Sequence, residues 1–267
     1  MTKPNSIELP GVPPIPILYE DRAVLAIDKP RGWMLVPYSW QRTSRNLQAA
    51  IVSSIAAGDF WARSRGLKFL KFVHRLDAET TGILLFAKSQ GAVESYGDLF
   101  ESRRMEKTYL AVVVGVPKQT EWTCTLKLAP DESRIGRIKV DAVQGKDAQT
   151  HFKVLATNPN GGRLRESVDA GTQVILKNRL APSPATTLIE AHPLTGRTHQ
   201  IRVHLAEAGC PVVGDDLYGR ERGRPAMGLR AVRLAYVDPF TKRRIEIRAP
   251  IGQFVHEFGF EIPKLEN

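Results

Sequence analysis

Apolar and polar positions divide much of the chain into short strand-like runs. Residues 23–28 alternate, residues 107–114 are rich in Tyr and Val, and residues 244–248 alternate cleanly. These patterns fit a pleated, half-buried surface. The uninterrupted apolar run 83–87 instead predicts a strand that is buried on both faces. Three further segments are candidate strands: residues 121–128, 148–156 and 186–191.

Helical spacing appears in only three segments. Apolar side chains recur every three or four positions in residues 47–57, 92–100 and 198–208. The first and third of these end at Gly58 and Gly209, and glycine suits the left-handed position that terminates a helix. Strands therefore outnumber helices and do not alternate regularly with them. This order predicts an α+β fold rather than a regular βαβ winding.

The first 17 residues are unusually rich in proline. Proline fixes φ and lacks a donor N–H, so this segment is expected to be an extended lead-in along the surface. We divide the chain into an N-terminal extension, residues 1–17, and a main domain, residues 18–267. The prolines concerned are Pro4, Pro10, Pro13, Pro14 and Pro16.

Composition and charge narrow the class of protein. Of 267 residues, 42% are hydrophobic and 25% charged, which is typical of a globular chain and excludes wholesale disorder. Lys and Arg total 38 against 28 Asp and Glu, a formal net charge of +10, and this excess favours a polyanionic partner. Cys124 and Cys210 form no CxxC pair. No segment resembles a signal peptide or membrane span, so we expect reduced thiols and a cytoplasmic location.

The segment His74-Arg75-Leu76-Asp77 carries the first candidate chemistry. It ends an apolar stretch and is followed at once by the polar hinge 78–82. A carboxylate in that position packs on one side and is exposed on the other, so Asp77 can act as a nucleophile or base. The alternative is a turn-capping aspartate that accepts hydrogen bonds from the Thr80 or Thr81 amide.

A second polar segment, residues 192–205 (HPLTGRTHQIRVHL), surrounds the start of the third predicted helix. Arg202 lies one helical step from the apolar stripe and should be partly buried. A buried guanidinium needs a carboxylate partner, and Asp77 is a reasonable one. The alternative is a solvated basic helix start.

Neither of two possible metal-binding patterns is convincing. His199 and His204 are five positions apart, without an acidic residue between them or an evident third ligand, so we predict no metal site. The turn 214–219 (GDDLYG) offers two carboxylates but lacks an EF-hand pattern. We interpret it as a structural turn.

Two long motifs resemble those of the RluA-type RNA pseudouridine synthases: residues 74–89 (HRLDAETTGILLFAKS) and 195–219 (TGRTHQIRVHLAEAGCPVVGDDLYG). Lys107-Thr108-Tyr109 lies between them, where the family carries a K-x-Y element, and residues 28–32 (DKPRG) resemble its D/N-K-P-x-G segment. The resemblance implies a pseudouridine synthase fold. Such a fold has a mixed, largely antiparallel sheet with flanking helices, in two lobes around a central basic cleft.

The resemblance also implies an activity: isomerisation of a specific uridine to pseudouridine in a structured RNA, tRNA or rRNA, without a cofactor. Asp77 matches the catalytic aspartate, which either attacks C1′ or removes the C2′ proton. Tyr109 matches the tyrosine that packs against the base and helps the C5 proton leave. Arg202 matches the arginine that pairs with the aspartate, keeping it ionised and oriented.

RNA contacts follow from the same motifs. A stacked uridine is out of reach and must be extruded, and Arg75 is the candidate to fill the vacated position. Lys107, Arg197 and His199 stand in the matching motifs and are assigned to RNA binding. The expected partner is RNA, and we expect a monomer that binds no metal.

The sequence departs from the family pattern in three places. Arg230 stands where the family often has a histidine, the connection 157–185 is longer than usual, and a separate S4-like domain is not expected. Which RNA and which uridine are modified stays open. Two rival functions also stay open: a noncatalytic RNA-binding or chaperone module on the same scaffold, and a hydrolase that uses Asp77 as a base.

Overall fold

A computed structural model of the chain describes residues 2–35, 45–161, 184–219 and 226–265. The chain forms two compact units, each assembled from three separate segments. The first unit contains Met1–Tyr109, Leu194–Thr198 and Arg230–Ala249, and the second contains Leu110–Pro193, His199–Leu229 and Pro250–Asn267. Each unit therefore combines residues that are far apart in the sequence.

Strands predominate in the described ranges. The strands are β1 (Ser6–Ile7), β2 (Ile15–Glu20), β3 (Val24–Lys29), β4 (Lys71–Phe72), β5 (Thr81–Ala87), β6 (Glu106–Val114), β7 (Glu121–Cys124), β8 (Leu128–Pro130), β9 (Ile138–Val140), β10 (Thr150–Asn158), β11 (Thr186–Pro193), β12 (Leu229–Val237) and β13 (Arg244–Arg248). The helices are α1 (Leu47–Ala57), α2 (Phe60–Arg63), α3 (Gln90–Glu101), α4 (Gln200–Glu207) and α5 (Gly252–Glu257). The predicted α+β class is confirmed.

The sheet of the first unit is mixed and largely antiparallel. Its strands follow the order β1, β2, β3, β5, β12, with β13 paired to β12 and β4 paired to β5. The pair β5–β12 is parallel and matches Thr81 with Arg230. The pairs β3–β5, β4–β5 and β12–β13 are antiparallel.

The core of the first unit lies against β3 and β5. Both strands are buried almost throughout, as continuous apolar runs require when both faces are covered. Helix α1 has the predicted bounds: the Asn46 side chain accepts from the Ala49 amide, and Gly58 follows at φ +72°. Ser89 caps α3 in the same way through the Ala92 amide. The loop between β4 and β5 is thus held against a packed scaffold.

The N-terminal segment is extended, as predicted, and most of its described residues are exposed, but three apolar residues enter the core. β1 pairs with β2, matching Ile7 with Ile15, and Ile7, Leu9 and Ile15 are all buried in the first core. The apolar residues between the prolines pack inward, whereas Pro10, Pro13, Pro14 and Pro16 are exposed. β2 also runs across positions 17 and 18. The boundary between extension and main domain stays a prediction.

The second unit is built on β10, which pairs antiparallel with β11 and β7. A two-stranded hairpin, β8–β9, packs against α4 through a small cluster formed by Leu128, Ala148 and Val203. Residues 162–183, most of the long connection noted above, lie outside the described residues. Both cysteines of the chain are free thiols. None of the helices in the described ranges is long and apolar enough to cross a membrane.

Candidate active site

Asp77 is half-buried in the loop that joins β4 to β5, residues 73–80, here called the Asp77 loop. The last residue of β3 and the turn that follows it hold the main chain of this loop. Lys29 Nζ donates to the carbonyl oxygens of Ala78 at 2.8 Å and Thr80 at 2.9 Å, and the Gly32 amide donates to that of Ala78 at 2.9 Å. The Thr80 amide donates to the Asp77 carbonyl oxygen at 3.2 Å. These bonds fix the backbone that carries the carboxylate.

Lys29 is fully buried beneath this loop. A further bond, to the Pro30 carbonyl oxygen at 3.1 Å, gives each of the three ammonium protons an acceptor. Burial lowers the pKa of Lys29 to about 7, while the negative charges of Glu79 and Asp77 act in the opposite direction. Lys29 therefore anchors the loop and, in its protonated form, places a positive charge within electrostatic range of Asp77.

Strand β6 contributes Lys107 and Tyr109, which are two positions apart and share one face of the strand. Burial and the negative charge of Asp77 raise the pKa of the Tyr109 phenol, so the phenol is protonated at neutral pH. Burial and the neighbouring Arg103 lower the pKa of Lys107 to about 8. The structure thus brings Asp77 and Tyr109, two of the predicted catalytic residues, close together.

His74 fixes the start of the Asp77 loop. Its ring stacks on Phe100 with centroids 4.6 Å apart, and its Nε2 accepts from the Leu85 amide at 3.1 Å. Burial and the positive charge of Lys107 lower the pKa of His74 to about 3, so the imidazole is neutral. Arg75 follows this anchor and is exposed. Its side chain is accessible to a partner, as the predicted RNA contact requires.

Arg197 lies in the short segment Leu194–Thr198, which belongs to the first unit. Thr195 of this segment is buried, and its carbonyl oxygen accepts from Lys107 Nζ at 3.2 Å. Arg197 itself is exposed. Lys107 therefore holds the segment in place while Arg197 stays at the surface.

In the second unit, Arg202 is buried on α4. Its Nε and Nη2 each donate to a carboxylate oxygen of Asp215 at 2.7 Å, a two-point geometry that suits guanidinium and carboxylate. Asp216 lies 3.6 Å from Nη2 and is mostly exposed. The solvated helix start considered above is therefore wrong. The pairing of Arg202 with Asp77 stays a prediction.

Tyr218 connects His199, the remaining predicted site residue, to the ion pair of Arg202 and Asp215. Its hydroxyl accepts from the Ile138 amide at 2.8 Å and lies 2.9 Å from His199 Nδ1. The hydroxyl and Nδ1 are thus within hydrogen-bond distance, and this contact links His199 to the Arg202 cluster through Tyr218. The Arg202 guanidinium lies 5.2 Å from the centre of the Tyr218 ring, a cation–π contact.

The other polar residues of α4 have structural partners. His204 Nδ1 is 3.1 Å from Thr150 Oγ1, and its Nε2 is 3.1 Å from the Leu126 carbonyl oxygen. Gln200 donates to Thr150 Oγ1 at 2.9 Å. In the part of the chain that the structure describes, no group of three or more His, Cys, Asp or Glu side chains could hold a metal ion.

Three supporting residues received no role from the sequence: Lys29, His74 and Asp215. Lys29 and His74 stand inside the motifs that carry the resemblance, so their presence there was the available signal. Asp215 also stands inside the second motif, residues 195–219, in the turn interpreted as structural. The sequence predicts that a buried Arg202 needs a carboxylate, and Asp215 is the acidic partner whose contact the structure defines.

Comparison with known sequences identifies the family. The sequence model of the RNA pseudouridylate synthase family matches residues 23–207, which is more than half of the chain. The chain belongs to this family, and the resemblance to its RluA-type members is confirmed.

Curated relatives agree with this assignment. The chain is 31% identical over 248 residues to ribosomal large subunit pseudouridine synthase C of Vibrio vulnificus, covering 89% of this chain and 66% of that protein. It is also 31% identical over 209 residues to the dual-specificity RNA pseudouridine synthase RluA of Vibrio cholerae, covering 78% and 70%. The chain thus spans about two thirds of the length of these relatives.

Solved structures support the same fold. Human RNA pseudouridylate synthase domain containing 1 superposes with a TM-score of 0.66 at 25% identity, covering 95% of this chain and 91% of that one. Human RNA pseudouridylate synthase domain containing 4 gives a TM-score of 0.64 at 20% identity, covering 93% and 94%, and shows the fold alone. The predicted pseudouridine synthase fold is confirmed.

Proposed function

We propose that this protein isomerises a specific uridine to pseudouridine in a structured RNA, either tRNA or rRNA, with Asp77 as the catalytic carboxylate. The observation that carries the proposal is the Asp77 loop: a half-buried carboxylate on a backbone fixed by Lys29, within electrostatic range of the protonated Tyr109 phenol. The names of the relatives include a ribosomal and a dual-specificity enzyme, which supports an RNA substrate of either kind.

The reaction breaks the N1–C1′ bond, turns the detached uracil and joins its C5 to C1′. Asp77 either attacks C1′ to form a covalent ester or removes the C2′ proton to give a glycal, and both routes return the carboxylate unchanged. The proton lost from C5 balances the proton gained at N1, so the product is an isomer of the substrate. The isomerisation therefore needs no second substrate.

Tyr109 acts on the base in this scheme. Because its pKa is raised, the phenol does not take the C5 proton as a phenolate. The phenol packs against the uracil. It accepts the C5 proton only as it donates its own hydroxyl proton, and the Asp77 carboxylate, which lies within electrostatic range, is an acceptor for that proton. Arg202 orients that carboxylate, as its match to the family arginine implies.

The RNA-binding residues act around this centre. Extruding the uridine requires an unstacking free energy of a few kcal/mol, and the exposed Arg75 occupies the vacated position. Phosphate and base contacts come from the other predicted residues, Lys107, Arg197 and His199. We further propose a basic cleft around Asp77, a monomeric protein and a cytoplasmic location.

The test is Asp77→Asn, which removes the reacting carboxylate and little volume. RNA from cells that lack the gene is incubated with the purified protein, and pseudouridine is mapped. We expect the variant to form no product while its RNA affinity stays within a few-fold of the original. The matched control is Asp98→Asn, the same chemical change at an exposed position of α3, and it should retain full activity.

The same assay separates the rival functions. Substantial pseudouridine formation by Asp77→Asn would refute the catalytic assignment. Tight RNA binding without any pseudouridine, by the unaltered protein, would favour the noncatalytic binding module. Released uracil together with abasic RNA would instead favour hydrolysis.

A further inference from the structure

The first unit contains a cavity of about 640 Å³ that plays no part in the scheme above. Five lysine and arginine residues line it, against two acidic residues. The basic residues are Lys3, Arg22, Arg65, Lys68 and Lys88, and the acidic residues are Glu20 and Asp21. We call this cavity the basic pocket. Its lining carries a clear excess of positive charge.

Both carboxylates of the pocket are committed to protein partners. Glu20 accepts from Arg65 Nε at 2.8 Å and from Lys88 Nζ at 2.7 Å. Although burial opposes it, these two bonds lower the pKa of Glu20. Asp21 Oδ1 accepts from the Ala23 and Val24 amides at 2.8 Å. Neither acid therefore neutralises the remaining cations.

Hydrogen bonds fix the side chain of Arg65, which lines one side of the pocket. Its side chain is 3% exposed, and besides Glu20 it donates to the carbonyl oxygens of Trp61 at 2.9 Å and Pro4 at 2.5 Å. Lys88 donates to the Asp21 carbonyl oxygen at 2.6 Å. The buried part of the lining is thus a fixed network in which every charge has a partner.

The outer part of the lining is different. Lys3, Arg22 and Lys68 are exposed and form no ion pair with any other residue that the structure describes. Three cations at the rim of a fixed cavity create a field that attracts an anion. Lys and Arg are the usual partners of phosphate oxygens.

Within the same unit, the pocket and the Asp77 end of the loop lie at opposite ends of β5. Lys88 directly follows the seven residues of β5. The carbonyl groups of Ala78 and Thr80 are bonded to Lys29, which pairs with Gly82 at the start of that strand. A strand rises about 3.3 Å per residue, so the two ends of β5 are roughly 20 Å apart. A stacked strand of nucleic acid carries one phosphate per about 3.4 Å. A phosphate in the pocket therefore belongs to a nucleotide about six positions from the reacting uridine, or to another part of the folded RNA.

We propose that the basic pocket binds a backbone phosphate of the substrate RNA, away from the nucleotide that is isomerised. This inference rests on the proposed function, because that function supplies RNA as the partner. The pocket gives the catalytic unit a second point of attachment. Two separated points fix the direction of the RNA on the protein, which one flipped nucleotide alone does not.

The test compares two double variants of identical chemistry. Lys3→Gln with Lys68→Gln removes two cations from the rim of the pocket. Lys118→Gln with Lys264→Gln removes two exposed lysines elsewhere and serves as the control. Binding of unmodified tRNA and rRNA, prepared from cells that lack the gene, is measured by filter retention between about 50 and 200 mM NaCl. Thermal unfolding verifies that both variants are folded.

We expect the pocket variant to lose about tenfold in affinity at the lowest salt concentration. Its plot of log affinity against log salt should be shallower by about 0.7 to 0.9, the contribution of the one phosphate contact that the pocket makes. Pseudouridine formation at limiting RNA should fall by the same factor as the affinity. The control should stay within twofold of the unaltered protein in each measurement.

Equal affinity and equal salt dependence of the two double variants would overturn the proposal. Failure of the proposed function is a separate result. If the unaltered protein binds RNA but forms no pseudouridine, the assigned activity is wrong, while the binding comparison still decides whether the pocket holds a phosphate.

Discussion

Asp215 is the residue on which the buried guanidinium of Arg202 depends. It is 3% exposed and accepts both 2.7 Å bonds from Arg202. Removing one partner of a buried ion pair leaves an uncompensated charge. We expect Asp215→Asn to lower the free energy of unfolding by about 3 kcal/mol, measured by urea denaturation.

The neighbouring Asp216 provides the control. It faces the same guanidinium at 3.6 Å, but its side chain is 83% exposed, and exposed pairs contribute little. Asp216→Asn should therefore leave the free energy of unfolding nearly unchanged. A similar loss in both variants would show that the buried pair has no special role.

His74 makes a pH prediction. Its pKa is lowered to about 3 in the folded protein, whereas an unfolded histidine titrates near 6.5. Between these values the unfolded chain binds a proton that the folded chain does not, so stability falls as the pH drops from about 6.5 towards 3. We expect His74→Gln to flatten this part of the curve of unfolding free energy against pH.

His256 is the matched control for that experiment. It lies on α5 and is exposed, so its ring meets solvent in both the folded and the unfolded chain. His256→Gln should retain the pH slope of the unaltered protein. A slope that is unchanged in His74→Gln would contradict the role assigned to the His74 imidazole.

The candidate residues themselves could be predicted from the sequence, but their supports could not. Asp77, Tyr109 and Arg202 stand in motifs that resemble a known family. Lys29, by contrast, reaches carbonyl oxygens 49 and 51 positions away, a contact that exists only after the chain has folded. The sequence around Lys29 does not indicate these distant partners.

At the scale of elements, the spacing of apolar residues predicted the bounds of a helix or strand best where a single packing pattern runs through the whole element. Helix α1 and strand β13 have the predicted bounds. Strand β12 was missed because Arg230 and Arg233 interrupt its apolar run. In the structure Arg230 is buried and pairs with Asp28 at 2.6 Å. A tertiary ion pair thus replaces the apolar side chain that the pattern requires.

Gly82 is essential for the pairing of β5 with β12. It lies at φ +101°, and a Cβ atom there would overlap the main chain of Ala231, its partner across the parallel pair. Because the overlap involves backbone, no side-chain movement relieves it. We expect Gly82→Ala to yield little soluble protein and a strongly lowered thermal midpoint.

Gly97 offers the same substitution without the conflict. It lies within α3, where an added Cβ meets nothing within 4 Å. Gly97→Ala should keep or raise stability, by up to about 1 kcal/mol, since alanine is the better helix former. If Gly82→Ala and Gly97→Ala had the same soluble yield and thermal midpoint, the close contact between Gly82 and the main chain of Ala231 would not explain the glycine.

At the scale of the whole molecule, composition predicted a globular chain and a polyanionic partner, and the family assignment agrees with RNA. The division into units could not be predicted. Each unit gathers three segments, and Leu194–Thr198 joins the first unit although its neighbours on both sides belong to the second. A sequence read in order suggests boundaries between continuous segments, and this chain does not follow that rule.

The formal net charge of +10 leads to the last prediction. Binding that neutralises phosphates releases counterions, so the logarithm of RNA affinity should fall linearly with the logarithm of salt concentration. Each phosphate contact adds about 0.7 to 0.9 to the slope, and six or more contacts would lower affinity by about 10³ or more between 50 and 200 mM salt. Fluorescence anisotropy with labelled RNA measures this dependence.

Asp77→Asn tests whether that slope belongs to the phosphate contacts alone. The carboxylate is proposed to act on the sugar of the flipped uridine and not on a phosphate. The variant should therefore show the same slope as the unaltered protein, even though it forms no pseudouridine. If affinity instead hardly depends on salt, base contacts carry the binding, and the excess of lysine and arginine would serve solubility rather than recognition of RNA.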